Sequence, residues 1–193
     1  MREAAGSARP IGTQARAAGV VRRRDAMTAT GDAAAPAARD APEVVIVIEI
    51  PRGSFVKRGS TGCIDFVSPL PCPFNYGSVP THIGLEGDLL DAVVLGPRLS
   101  AGTTLRLRAW GAVTLCDRGM IDDKLVCSAR PLTSAQRRQV LRFFRFYAWC
   151  KGLLNLWRRR PGRNACEGWR AADEAIARAR PRDATWQGPP VEF

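Results

Sequence analysis

Between residues 43 and 127 short apolar runs alternate with polar breaks, and their spacing predicts strands joined by turns. Val44-Val45-Ile46-Val47-Ile48-Glu49-Ile50 is β-branched and stops at Pro51, as a strand buried on at least one face would. Glu49 interrupts the run, either as an outward residue of an alternating strand or as a carboxylate aimed at a polar site. Phe55-Val56-Lys57 starts a second short strand after a turn. Gly62, Pro69, Pro71 and Pro73 then leave a loop with one short strand near 64–67. Further strands are predicted at 91–95, 103–107, 109–115 and 125–127, with a polar loop at 117–124. The period then changes. Thr133-Ser134-Ala135-Gln136 has the form of a capping box. After it Val140, Leu141, Phe143, Phe144 and Tyr147 recur at helical spacing, with Arg137, Arg138, Arg142 and Arg145 between them. A second helix is expected over 167–179, ending before Pro181. Six or so strands followed by two helices make an α+β chain, mainly β, built as a small barrel or sandwich.

The flanks read differently. Residues 1–42 are rich in Ala and Arg and lack the long apolar side chains that offset ordering entropy, so they are expected to be a disordered leader. Met27 is an alternative start. One domain is expected over 43–180, with a frayed tail at 181–193. No window of about 18 apolar residues is present, so no membrane span is expected. The first 24 residues lack the apolar core of a secretory signal. The six cysteines form no CxxC pairs, which argues against zinc or a redox dithiol and suits a reducing cytoplasm.

The net charge of +11 would suit a nucleic-acid partner, yet only Lys57, Lys124 and Lys151 among 29 basic residues are lysine. Such Arg/Ala enrichment matches biased base composition, and nucleic acid is discounted. Against this basic background, carboxylates concentrate in two places. Glu86-Gly87-Asp88-Leu89-Leu90-Asp91 holds three within six residues, and Asp117, Asp122 and Asp123 follow with Lys124. Carboxylates held close repel and raise one another's pKa, so a fold keeps them solvated, neutralised by cations, or working as acid and base. Mg²⁺ prefers such oxygens, and ions a few ångströms apart can bind phosphate and activate water. A calcium-like structural site, or two solvated loops, fits the same spacing.

IEIPRGS with Lys57, then Asn75-Tyr76-Gly77, EGDLLD, DDKL and a late FFxFY followed by EGW resembles, in order and spacing, the family I soluble inorganic pyrophosphatases. The resemblance spans about 44–179. It implies a five-stranded OB-like closed barrel with two flanking C-terminal helices, Mg²⁺-dependent hydrolysis of pyrophosphate to two phosphates, and a cytoplasmic homo-oligomer, often a hexamer. By the same resemblance Asp88 is the general base, and Glu49, Glu86, Asp88, Asp91, Asp117 and Asp122 are the metal set. Lys57, Tyr76, Lys124 and Tyr147 would bind phosphate.

The departures from the family pattern are specific. Glu86 stands where an Asp is usual, and Leu89 where a Pro is. Gly59 replaces a carboxylate, Phe66 an arginine, Cys72 a tyrosine, Arg118 an acid and Ala148 a lysine. The metal set is better kept than the phosphate clamp, so a slowed enzyme is expected. The competing expectation is a pyrophosphatase-like protein, catalytically impaired, that binds an anion or nucleic acid through its basic helix.

Overall fold

The β-branched run forms β1 (Glu43–Ile50), with Val44, Ile46, Ile48 and Ile50 buried and the intervening residues less so. It belongs to a computed structural model that describes residues 41–58, 64–67, 71–159 and 162–188. The expected leader up to residue 40 and the last five residues lie outside that range. Residues 41 and 42, assigned to the leader, instead belong to the domain: Ala41 is buried and the Pro42 carbonyl accepts the Ala109 amide at 2.8 Å.

Five strands close on themselves. β1 pairs antiparallel with β4 (Asn75–Ile83) and with β6 (Thr104–Asp117). β4 pairs with β5 (Leu89–Val94), β5 runs parallel to β7 (Met120–Ser128), and β7 returns antiparallel to β6. The short β2 (Val56–Arg58) and β3 (Ile64–Val67) make a separate ribbon. β8 (Ala165–Arg170) adds to β6, and β9 (Arg180–Pro181) to β4. Two helices complete the chain, α1 (Ser134–Trp157) and α2 (Ala172–Arg178).

Local signals placed several elements well. The Thr133 hydroxyl accepts the Gln136 amide while the Gln136 side chain accepts the Thr133 amide, the expected capping box at the start of α1. Three expectations are corrected by non-local pairing. The strands expected at 103–107 and 109–115 are one 14-residue strand, bent by a bulge between Ala109 and Gly111. The expected loop at 117–124 shrinks to the two-residue turn Arg118-Gly119, so Asp122, Asp123 and Lys124 lie on β7. The expected helix at 167–179 begins as β8, because the edge of β6 offers pairing there. The segment expected to fray also pairs, with the Arg182 amide on the Thr81 carbonyl at 2.9 Å.

Strand alternation sorts side chains between two apolar layers. Ile46, Ile48, Ala92, Leu125 and Cys127 fill the inside of the ring, where α2 adds Ala172 and Ala175. Tyr76, Val93, Val113 and Val126 face outward under Val140 and Phe144 of α1. Gly77 is required where β1 and β4 approach, because a Cβ there would overlap the Val47 carbonyl. Asp123 points away from the other carboxylates. Arg178 of α2 grips it with Nε and a terminal nitrogen, both at 2.9 Å, and Thr114 donates to it at 2.6 Å.

Replacing Arg178 by Met leaves the buried Asp123 charge without its cation. Urea denaturation should show a loss of about 3 kcal/mol; a loss under about 0.5 kcal/mol would rule out this pair as the fastening of α2.

Candidate active site

The alternation that puts Val93 and Val126 under α1 puts Asp91, Lys124 and Asp122 on the same face, two and four residues away. The register makes Asp91 the neighbour of Ser78 on β4 and of Lys124 on β7. The site therefore begins where the apolar layer under α1 ends. Lys124 is buried, with 1% of its surface exposed. Its ammonium donates to both Asp122 oxygens, at 2.8 and 2.9 Å, and to Asp91 Oδ2, which also accepts the Tyr76 hydroxyl. Burial opposes the charge on Lys124, but Asp122 and Asp91 outweigh it and hold the ammonium well above the usual lysine range.

Glu86 completes the cluster. Single carboxylate oxygens of Glu86, Asp91 and Asp122 lie within 4.8 Å of one another. Glu86 Oε2 is buried with no hydrogen-bond partner among the described residues. Burial, then the charges of Asp122 and Asp91, push its carboxyl up to about 8 against a smaller opposing pull from Lys124. The room for it comes from Gly84, where a Cβ would stand 2.6 Å from both Glu86 oxygens. The loop is tied by Gly84 N to the Asp88 carbonyl at 2.8 Å, and Trp186 donates to the Gly87 carbonyl at 3.3 Å. An unpartnered buried oxygen beside two further carboxylates fits a divalent cation with oxygen ligands.

Other expected residues sit elsewhere. The Asp88 carboxylate accepts the Leu89 amide at 2.7 Å, in the same loop but outside the three-carboxylate group. Glu49 accepts the Ser78 hydroxyl at 2.6 Å, which makes it a group aimed at polar surroundings. Asp117 is also outside the group, paired with Lys151 at 2.5 Å and with Asn155 at 3.2 Å. Burial opposes ionisation of Asp117, but Lys151, Asn155 and Arg118 hold its carboxyl below the usual range. Tyr147 joins Tyr76, Lys124, Cys72 and Phe143 around a pocket that opens to solvent. The side chains of Lys57 and Phe66, and all of Gly59, lie outside the described residues. Arg138, Arg142 and Arg145 face solvent, and Arg137 stacks on Trp169 at 4.9 Å.

Sequence reasoning passed over Lys151, Asn155, Ser78 and Gly84. Lys151 had a usable signal: it follows Tyr147 by one helical turn and is one of three lysines in the chain. Ser78 and Gly84 had none, because their roles depend on strand register and loop closure.

Residues 46–175 match the family model for inorganic pyrophosphatase. The chain belongs to the inorganic pyrophosphatase family. A soluble inorganic pyrophosphatase of rice (Oryza sativa subsp. indica) is 39% identical over 95 residues, covering 44% of each chain. An inorganic pyrophosphatase of Gluconobacter oxydans is 34% identical over 98 residues, covering 46% of this chain and 57% of that one. The matched stretch thus spans about half the length of these curated relatives. An inorganic pyrophosphatase structure from Neisseria gonorrhoeae superposes with a TM-score of 0.57 at 27% identity, over 74% of this chain and 90% of that one. One from Thermus thermophilus gives 0.57 at 25%, over 74% and 91%. The strand ring with its two helices is thus the mainly β, OB-like arrangement that the resemblance implied.

The Glu86 geometry has a pH signature in EDTA-treated protein. The folded chain keeps the Glu86 proton up to about pH 8, whereas the unfolded chain releases it near 4.5. Between those limits the folded state binds more protons, so stability should fall as pH rises. Thermal midpoints at pH 5 and 8 should differ in that sense, and Glu86→Gln should flatten the slope. An identical slope in the variant would remove Glu86 as its source.

Proposed function

We propose that this pyrophosphatase-family chain hydrolyses inorganic pyrophosphate to two phosphates, using Mg²⁺ held chiefly by Glu86, Asp91 and Asp122. The carrying observation is the partly buried carboxylate trio, with its unpartnered Glu86 oxygen, beside Lys124 and the Tyr76 and Tyr147 pocket. When bound, Mg²⁺ would neutralise phosphate charge and lower the pKa of a bound water. Lys124, Tyr76 and Tyr147 would orient phosphate oxygens by donating hydrogen bonds, with Lys57 expected to contribute from β2. Asp88 sits in the same loop as Glu86 and would take the proton of the attacking water. Its carboxylate keeps a free oxygen lobe because the Leu89 amide engages only Oδ1.

The rate should be reduced relative to family members with a complete clamp. Phe66 and Ala148 stand where cations are expected, and each positioned charge at such a site is worth roughly two orders of magnitude in rate. Binding of nucleic acid by α1 is the less favoured reading, since it gives the carboxylate trio no role. Cytoplasmic residence accords with the free thiols of the five described cysteines. No helix among the described residues is long and apolar enough to cross a membrane.

Self-association, expected of the family, is supported by one feature of α1. Phe146, Trp149, Leu153 and Leu156 are exposed at alternating three- and four-residue spacing, next to Trp157 at 81% exposure. That spacing suits helix-to-helix packing between copies.

Purified protein with pyrophosphate and Mg²⁺ should release phosphate above background, and excess EDTA should abolish it. Asp91→Asn should lower kcat by roughly 100-fold. Folded protein without turnover would defeat the enzyme reading. In light scattering, Trp149→Glu with Leu153→Glu should reduce the measured mass to that of one chain; an unchanged mass would put the contact between copies elsewhere.

A further inference from the structure

Glu86 differs from the other two members of the trio in what carries it. Asp91 and Asp122 stand on β5 and β7, paired strands of the ring, whereas Glu86 stands in the connection 84–88 between β4 and β5. β4 enters that connection through a bulge: from Val79 to Ile83 it advances four positions while β5 advances one, from Leu90 to Leu89. Residues 80–82 therefore have no partners on β5, and the segment after α2 meets them instead. β9 pairs with His82 and Ile83, and the Arg182 amide donates to the Thr81 carbonyl at 2.9 Å. This segment lies beyond residue 175, where the family match ends. The chain then turns back. The Asp183 carboxylate accepts the Thr185 amide at 2.9 Å and the Thr185 hydroxyl at 2.6 Å, and the Trp186 amide donates to the Asp183 carbonyl at 3.4 Å. That turn brings the indole to the acidic loop, where Nε1 donates to the Gly87 carbonyl at 3.3 Å. The Arg182 guanidinium lies over the Trp186 ring, 5.0 Å from its centre, and Trp186 is half-buried while residues 182–185 are exposed.

Gly87 sits between Glu86 and Asp88, so fixing its carbonyl fixes the backbone from which both carboxylates project. Inside the loop the Gly84 amide bonds to the Asp88 carbonyl at 2.8 Å and the Gly87 amide to the Gly84 carbonyl at 3.1 Å. Those bonds shape the loop, and Trp186 ties it to a separate part of the chain. The three carboxylate oxygens lie within 4.8 Å of one another, two of them set by strand register and the third by where the loop stands. A loop shift of about 1 Å is enough to spoil a site of that kind. We propose that residues 180–186 are a strap that sets the cation affinity of the trio, with Trp186 as the positioning residue for Glu86. The strap does not touch the cation; it holds the loop where the third oxygen meets Asp91 and Asp122. Coupling of this kind is reciprocal, so a cation held by Glu86 tightens the strap in turn. The proposal rests on the trio being the cation site, and its tests read binding and hydrogen exchange, not turnover.

Mn²⁺ titration of the full chain, following free Mn²⁺ by electron paramagnetic resonance, reads the affinity. Trp186→Ala should weaken binding by roughly tenfold, and Trp186→Phe, which keeps a ring beneath Arg182 but loses the N–H, by about fivefold. A merely structural role would lower the thermal midpoint and leave the affinity unmoved. Hydrogen exchange reads the reverse direction in the unaltered chain, so it decides the matter even if Trp186→Ala does not fold. Saturating Mn²⁺ should slow the amides of 182–186 about threefold, and Glu86→Gln should abolish the slowing. The strap is overturned if Trp186→Ala, folded by its thermal melt, binds Mn²⁺ within about twofold of the wild type. It is equally overturned if exchange at 182–186 ignores bound Mn²⁺, or if the slowing survives Glu86→Gln. A wild type that binds no Mn²⁺ overturns the cation site along with the strap, whereas Mn²⁺ binding that leaves 182–186 unaffected overturns the strap alone.

Discussion

A single buried ammonium, that of Lys124, sets the terms for the rest of this structure. An unpaired charge so enclosed would cost several kcal/mol, and the fold meets that cost with carboxylates on either side. Asp122 reaches it along the same strand and Asp91 across from the parallel neighbour, where register alone sets the distance. Two carboxylates for one lysine are enough, and Glu86 makes a third. That surplus leaves one carboxyl oxygen, Glu86 Oε2, buried without a hydrogen-bond donor among the described residues, an arrangement that suits a cation.

The ring supplies this arrangement through parity. Each strand gives alternate residues to the inside, where aliphatic side chains pack with α2, and to the outside, where α1 covers part of the face. Glu49, Ser78, Asp91, Asp122 and Lys124 fall on the outer parity beyond the edge of α1's apolar cover, and Tyr76 lies under it with its hydroxyl reaching Asp91. Asp123 falls on the other parity and is spent on Arg178 and Thr114. Neighbouring aspartates of identical chemistry thus serve opposite ends, one in the site and one in holding a helix.

What could be read along the chain was what depends on near neighbours. The capping box at Thr133 and Gln136, the β-branched run of β1 and the strand at 64–67 are local, and they appear where expected. The loop expected at 117–124 was misread because Asp122, Asp123 and Lys124 are charged residues that water would readily take, whereas pairing with β6, and with β5 from Lys124 onward, makes them strand. β8 was hidden for a related reason, since only an available edge of β6 turns 167–170, the start of the expected helix, into strand. Within the site, the acidic motif was legible and its geometry was not. Glu86 looked like a defect, one methylene too long, until Gly84 is seen to leave space for its carboxylate. Asp117 looked like one more ligand, and its partners Lys151 and Asn155 come from a helix far along the chain.

The parallel pairing of β5 with β7 also orders events in time. The β6–β7 hairpin turns on two residues and can form early from local chain. Asp91 reaches Lys124 only after β5 docks beside β7 across that hairpin, a long-range closure of the slow kind. Until then Lys124 belongs in water, and the carboxylate trio does not exist. A cation held by the trio would therefore depend on a pairing between distant strands, and its binding would report that β5 has docked on β7.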